Sequence, residues 1–253
     1  LSTAGPPLIA IFFTSIDDTF IFFSMPGVHA LSVLFAFLFF IRFKEKKNVE
    51  ENESNSKKTL MDGISYSYNF INIRILLILT STILFWGLTQ PLIPRISKDI
   101  LDAGSGGYAI LLSTGALGAM IGSITLPLAQ SFFRNSKSIV LCITCYSITL
   151  IGLALSKSIV LSGIFLGLGG FFHLIWFTVI IILLQTLPDE NHRGRVIGLF
   201  FTFVQLYGLG FIIGGALGDT IGINPTIYIA SSSLIAIHLI CFISSPSFRS
   251  LKS

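Results

Sequence analysis

Charge is what this sequence has least of. Charged residues fill 11% of its 253 positions, against roughly 25% in a soluble domain. A water-facing surface cannot be covered at that density, and the mean hydropathy of +0.85 says the same. An ordinary soluble fold is excluded. Cysteine is almost as sparse: Cys142 and Cys145 form a C-x-x-C inside the apolar run Ile139 to Leu155, with no second ligand pair nearby, and Cys241 sits in the last apolar run. Zinc needs four ligands in reach, so the three read as small packing residues. No phosphate-cradling G-x-x-x-x-G-K loop, catalytic triad or metal cluster is visible in the sequence, which argues against an ATP-driven pump, an enzyme, or a cofactor. A basic leader is lacking before the first apolar run, as is an initiator methionine ahead of Leu1. The chain is therefore read as a piece of a longer protein. Its net charge of +4 is scattered through short loops instead of lining one face, which excludes nucleic acid as a partner.

What the chain does have is long apolar runs. A helix needs about 20 apolar residues to cross the hydrocarbon core, and eight runs of roughly that length stand out: Leu1 to Ile16, Thr19 to Ile41, Ile75 to Ile96, Gly107 to Gln130, Ser138 to Ser156, Ile159 to Leu187, Val196 to Ile221 and Thr226 to Ser244. Backbone amides cannot stay unpaired in lipid, so these predict helices and an all-α polytopic membrane protein. Alternate loops carry sharply different charge. One set holds Arg42, Lys44, Lys46, Lys47, Lys57, Lys58, Arg74, Arg134, Lys137, Arg193, Arg195, Arg249 and Lys252; the other holds Arg95, Lys98 and Lys157. By the positive-inside rule the first set is cytoplasmic, which predicts a multi-pass protein of the cell membrane with a cytoplasmic carboxyl terminus. Abundant Ile, Phe, Lys and Asn suggest an AT-rich bacterial genome.

The hydrophilic stretch Arg42 to Arg74 divides the runs two plus six. Its part from Thr59 to Ile73 has Leu60, Ile64 and Ile71 at helical spacing, which predicts an interfacial helix. Repeated six-span halves joined by a cytoplasmic loop are a common transporter plan. The expected organisation is residues 1–41 as the last two spans of one half, 42–74 as linker, 75–244 as a complete six-span half and 245–253 as tail. Four spans are then expected ahead of Leu1. Leu1 to Ile41 and Val196 to Ser244 share a pattern: a Gly-containing span, a short outer turn (Asp17-Asp18; Gly222 to Pro225), then a span exiting into basic residues.

Within the spans, Gly118 and Gly122, Gly163 and Gly167, and Gly210, Gly214 and Gly218 recur at intervals of four, the spacing that lets neighbouring helices approach closely. The most specific string is Pro188-Asp189-Glu190-Asn191-His192-Arg193-Gly194-Arg195-Val196. Cations at a helix amino end oppose its dipole, so Arg193 and Arg195 are expected to have acidic or lipid-phosphate partners. The string resembles the P-D-E-x-x-R-G-R-V element before the eleventh span of the major facilitator superfamily, in the branch of enterobactin exporters and macrolide-efflux proteins. Gly5-Pro6 resembles that branch's fifth-span opening. Asp62-Gly63-Ile64-Ser65-Tyr66 with Asn72 and Arg74 resembles its approach to the seventh span, and Tyr108 with Gly115, Gly118 and Gly122 its eighth. One departure stands out: Ser131 occupies the place of an aspartate in the family's turn between spans eight and nine, which puts a charge-linked gate there in doubt.

The resemblance implies a major facilitator-type helical bundle and a secondary exporter of amphiphilic small molecules, coupled to protons and working by alternating access. An ionisable group inside a span is costly and marks a functional candidate. Asp219 and His173 are the coupling candidates, since histidine titrates near physiological pH; His29 and His238 are weaker ones. Trp86, Gln90, His173, Trp176, Gln205 and Tyr207 are the candidate substrate pathway, because amphiphilic ligands are held by aromatic surface plus a few polar groups. The expected partners are a small-molecule substrate, protons and the lipid bilayer. A membrane component that does not transport or an inactive truncated remnant, and an importer or lipid flippase of the same fold, are the alternatives.

Overall fold

A computed structural model describes residues 62–251, apart from Arg134 and the side chains of Gln130 and Ser131. The two apolar runs before residue 42, the linker's charged part, Asp17, Asp18 and His29 lie outside the described residues. Within them the chain is helical: α1 (residues 62–69), then six long apolar helices, α2 (Ile71–Ile100), α3 (Gly104–Leu128), α4 (Ser136–Leu155), α5 (Ile159–Thr186), α6 (Glu190–Thr220) and α7 (Ile223–Ser244), and a closing turn, α8 (Pro246–Arg249). Each of the six is long and apolar enough to cross a membrane. They correspond one for one to the last six expected runs.

The helices overshoot those runs at several ends. α6 begins at Glu190, six residues before the apolar run at Val196, and α2 spans Ile71–Ile100 instead of Ile75 to Ile96. Hydropathy marks where the bilayer ends, not where hydrogen bonding ends. Glu190 in the first turn of α6 favours the dipole and lets the helix start in the aqueous layer.

α2 is not a uniform helix. It turns at Thr82, tightens to 3₁₀ geometry over Gln90–Leu92 and loosens to a π-helix over Ile96–Ile100. Pro91 and Pro94 supply no N–H to the ladder. Hydroxyls bond to backbone carbonyls nearby: Thr82 Oγ1 donates to Leu79 O at 2.6 Å and Thr89 Oγ1 to Trp86 O at 2.8 Å. Gln90 therefore opens the irregular stretch, and Trp86 lies one turn before it in a regular segment.

Glycine sets how the bundle closes. A Cβ on Gly118 would strike the carbonyl of Gly167, one on Gly170 the carbonyl of Gly115, and one on Gly122 would lie 3.0 Å from Phe171 O. These residues join α3 to α5, with Gly163 and Gly167 facing Thr114. A second seam joins α2 to α6: Gly210 lies against Leu84 O, Gly214 against Leu88 O, and Gly87 against Tyr207 O. Small residues at such seams replace the hydrophobic driving force that helices lack inside lipid. The expected glycine faces are thus the contact faces, extended by Gly87, Gly115 and Gly170. α4 packs on α5 and α7 and contributes Ile139, Cys142, Ile143 and Tyr146 to the core.

Candidate functional site

Where α2, α4, α5 and α6 converge, their aromatic side chains form one cluster around His173. The imidazole stacks on Trp86 of α2 at 4.6 Å between ring centroids and on Phe177 of its own helix at 6.0 Å, with interplanar angles of 17° and 11°. Tyr146 of α4 leans in at 5.4 Å, and Trp176 stands edge-on at 5.5 Å. Tyr207 of α6 extends the cluster by packing on Trp86 at 4.7 Å. Aromatic pairs in such offset and edge geometries contribute about 0.5–1.5 kcal/mol each beyond area burial.

The cluster is well packed but not satisfied in its polar atoms. His173 Nδ1 and Trp176 Nε1 are sealed from solvent and have no hydrogen-bond partner among the described residues, and neither does Nε2 of His238, whose ring meets Trp176 edge-on at 5.7 Å. A buried polar atom left unpaired costs about 1–3 kcal/mol. His238 differs from His173 in having Nδ1 at 2.8 Å from Leu234 O on its own helix, so one of its two ring nitrogens has a partner. Open polar capacity thus remains on His173 Nδ1, Trp176 Nε1 and, at the edge of the cluster, His238 Nε2.

Four of the six expected pathway residues, Trp86, His173, Trp176 and Tyr207, are thus in one place. Gln90 lies one turn beyond Trp86 and is half-buried, while Gln205 is exposed at the kink between the two segments of α6. These residues were selected by type alone. Tyr146 and Phe177, absent from the expected set, looked like two more aromatics in apolar runs, and nothing in their spacing distinguishes them.

Asp219 is elsewhere. It lies about 18 Å from Tyr207 along α6 at 1.5 Å per residue, and its Oδ1 accepts from Arg95 Nη1 at 2.8 Å. Arg95 also approaches Asp99 at 3.8 Å, and Gly218 lets the guanidinium pass, since a Cβ there would lie 2.9 Å from Nη1. The two coupling candidates are not brought together. With the Asp219 side chain 75% exposed, this pair is a surface tie between α2 and α6 worth under about 1 kcal/mol.

At the basic end the P-D-E string meets α1. Tyr66 donates its hydroxyl proton to Asp189 Oδ2 at 3.3 Å and accepts from the Asp189 backbone N–H at 3.2 Å. Its ring lies flat on His192 at 4.0 Å with 4° between planes. Arg195 reaches Asp62 at 3.8 Å, and Gly63 leaves room for it, since a Cβ there would lie 2.9 Å from Arg195 Cβ. The expectation of an acidic partner holds for Arg195. Arg193 is exposed and has no ion pair among the described residues. Pro188 is buried behind the string, and Gly194 has open space around it. Of the other motif residues, Asn72 Oδ1 accepts from Ser247 of α8 at 3.0 Å, and Arg74 caps the Tyr68 ring at 5.1 Å. The side chain of Ser131 lies outside the described residues.

The Tyr66 contacts outweigh the ion pair beside them. Two hydrogen bonds to a carboxylate-bearing residue contribute about 1–2 kcal/mol together, whereas the exposed pair contributes a few tenths. Tyr66→Phe is therefore expected to loosen α1 from the α5–α6 corner more than Asp62→Asn does. Proteolysis near residue 62 measures this: faster cleavage in Tyr66→Phe than in Asp62→Asn is the expected order, and the reverse order contradicts it.

Compared with known proteins, the chain is matched over residues 2–251 by a family model described as transmembrane secretion effector. No curated protein matches it.

Proposed function

The chain belongs to the transmembrane secretion effector family, of the major facilitator type, and from that premise we propose that it works as a secondary exporter of amphiphilic small molecules. The reading places it in the branch of drug and siderophore efflux proteins, driven by a proton gradient through alternating access. The cell membrane, a cytoplasmic carboxyl terminus and the two-plus-six division belong to the same reading.

The observation that supports it best is the His173 cluster. An amphiphilic molecule needs flat apolar surface and a small number of polar contacts. Trp86, Phe177, Tyr207 and Tyr146 supply the surface, and the unpartnered nitrogens of His173 and Trp176 supply the contacts. An ionisable ring inside a span is also the residue type that couples a proton to a conformational change. α2 and α6, which carry Trp86 and Tyr207, are tied at one end by Tyr66 and Asp189 through α1 and at the other by Arg95 and Asp219. Alternating access requires that the ties at one end open while those at the other hold.

Energised cells expressing the full-length protein test this. Loaded with ethidium, a macrolide or a catecholate siderophore, they are expected to lose at least one of the three faster than control cells, and a protonophore is expected to abolish the difference. Efflux that persists at full rate without the gradient rules out proton coupling. Identical accumulation of all three with and without the protein favours a membrane component that does not transport them.

A further inference from the structure

A second site lies away from the aromatic cluster, at the basic end of α4. A cavity of about 450 Å³ opens there between α4, the turn before it and α8, lined by Lys137, Arg249, Asn135, Ser138, Phe132 and Leu141 among others. Its floor is built by the tail: Ser136 N donates to Leu251 O at 3.3 Å, and Ser136 Oγ to Arg249 O at 3.3 Å. Among the described residues no acidic side chain lines it, and neither Lys137 nor Arg249 forms an ion pair there. Two cations thus face one cavity with no counter-charge among the described residues.

The surroundings specify which anion fits. α4 is 20 residues long, about 30 Å, the thickness of the hydrocarbon core, so Lys137 in its first turn sits at the headgroup layer. From there an apolar stripe runs along the same face of α4: Leu141 is 50% exposed, Ile148 57% and Leu155 65%. Residues seven apart repeat on one side of a helix. The cavity holds a headgroup but not a whole lipid, and the stripe begins at its edge, at Leu141. A free phosphate would use the cations and leave the stripe bare.

We propose that this cavity binds the phosphate of an anionic phospholipid, with Lys137 and Arg249 on the headgroup and an acyl chain along Leu141, Ile148 and Leu155. The inference rests on the membrane placement of the bundle and is independent of transport or its direction. Charge-assisted contacts to phosphate oxygens are the strong ones, and the two cations together are expected to contribute roughly tenfold to thirtyfold in affinity.

The test uses the purified full-length protein in detergent, its thermal midpoint read while dioleoylphosphatidylglycerol, dioleoylphosphatidylcholine or inorganic phosphate is added. Phosphatidylglycerol is expected to raise the midpoint at about tenfold lower concentration than phosphatidylcholine. Lys137→Gln with Arg249→Gln is expected to erase that preference, while Lys137→Arg, and Lys157→Gln at the opposite end, keep it. Both cations are exposed, so the double variant should match the wild type without lipid; should it melt earlier, the single change Lys137→Gln carries the comparison. A preference that survives removal of the cations overturns the proposal, as does equal stabilisation by the two lipids. Inorganic phosphate acting at the same concentration as phosphatidylglycerol overturns the lipid as occupant.

Discussion

Gly118→Ala lowers the thermal midpoint of the purified protein by about 3–10 °C, the equivalent of roughly 1–3 kcal/mol for one methyl forced into a filled space. The added carbon would occupy the place of the Gly167 carbonyl. That obstacle is backbone, which cannot rotate aside as a flexible side chain can, so α3 and α5 must part along their length. Gly214→Ala acts alike on the seam between α2 and α6, where Leu88 O stands in the way. Gly198→Ala is the control. It lies in a helix with nothing within 4 Å of the added carbon, and alanine is the better helix former by about 1 kcal/mol. It should leave the midpoint unchanged or slightly raised. Equal effects at Gly118 and Gly198 would mean that helix propensity, not close approach, governs these positions.

Under the proposed function, His173→Ala is expected to reduce efflux of a transported compound by about thirtyfold, the usual cost of removing a central aromatic anchor, near 2 kcal/mol. The ring separates Trp86 from Phe177, and its loss leaves a hole between α2 and α5. His173→Phe separates the two roles of the ring. It keeps a flat side chain between the same neighbours and removes both nitrogens, so binding stays within a few-fold while the dependence on the proton gradient disappears. If efflux by the phenylalanine variant remains gradient-driven, His173 is a stacking residue and the coupling acid is elsewhere. Asp219→Asn is expected to have little effect on coupling, because an exposed carboxylate already paired with Arg95 lies far from the cluster.

Spans were readable from sequence because membrane insertion imposes one rule on about 20 consecutive residues at a time. Residues 75–244 yielded six helices in the expected order, and the glycine faces were readable for a related reason: a four-residue interval maps directly to one side of a helix. Helix ends were less legible. Glu190 to Arg195 are polar or charged apart from Gly194 and look like loop, yet they are helical, since the aqueous layer tolerates polar helix as readily as it tolerates turns. The irregular course of α2 around Pro91 and Pro94 emerged only in the structure, and its Trp86 and Gln90 gained meaning only from neighbours distant in sequence. Trp86 meets His173 and Tyr207 from two other helices, and no local pattern encodes that meeting. The Tyr66 latch shows the same limit. The motifs containing Tyr66 and Asp189 were each recognisable, while the bond between them joins positions 123 residues apart.

Trp86 and Trp176 are the only tryptophans in the 253 residues, and both touch His173. Tryptophan emission of the purified protein, excited at the red edge where tyrosine barely absorbs, therefore reports on this cluster. Titration with a compound that the protein expels from cells should quench or shift the emission saturably. Trp176→Phe should retain the change through Trp86, and His173→Ala should weaken it by about thirtyfold. An expelled compound that leaves the emission of both tryptophans untouched at saturating concentration would show that the cargo binds elsewhere, and the assignment of the cluster as the transport site would fall.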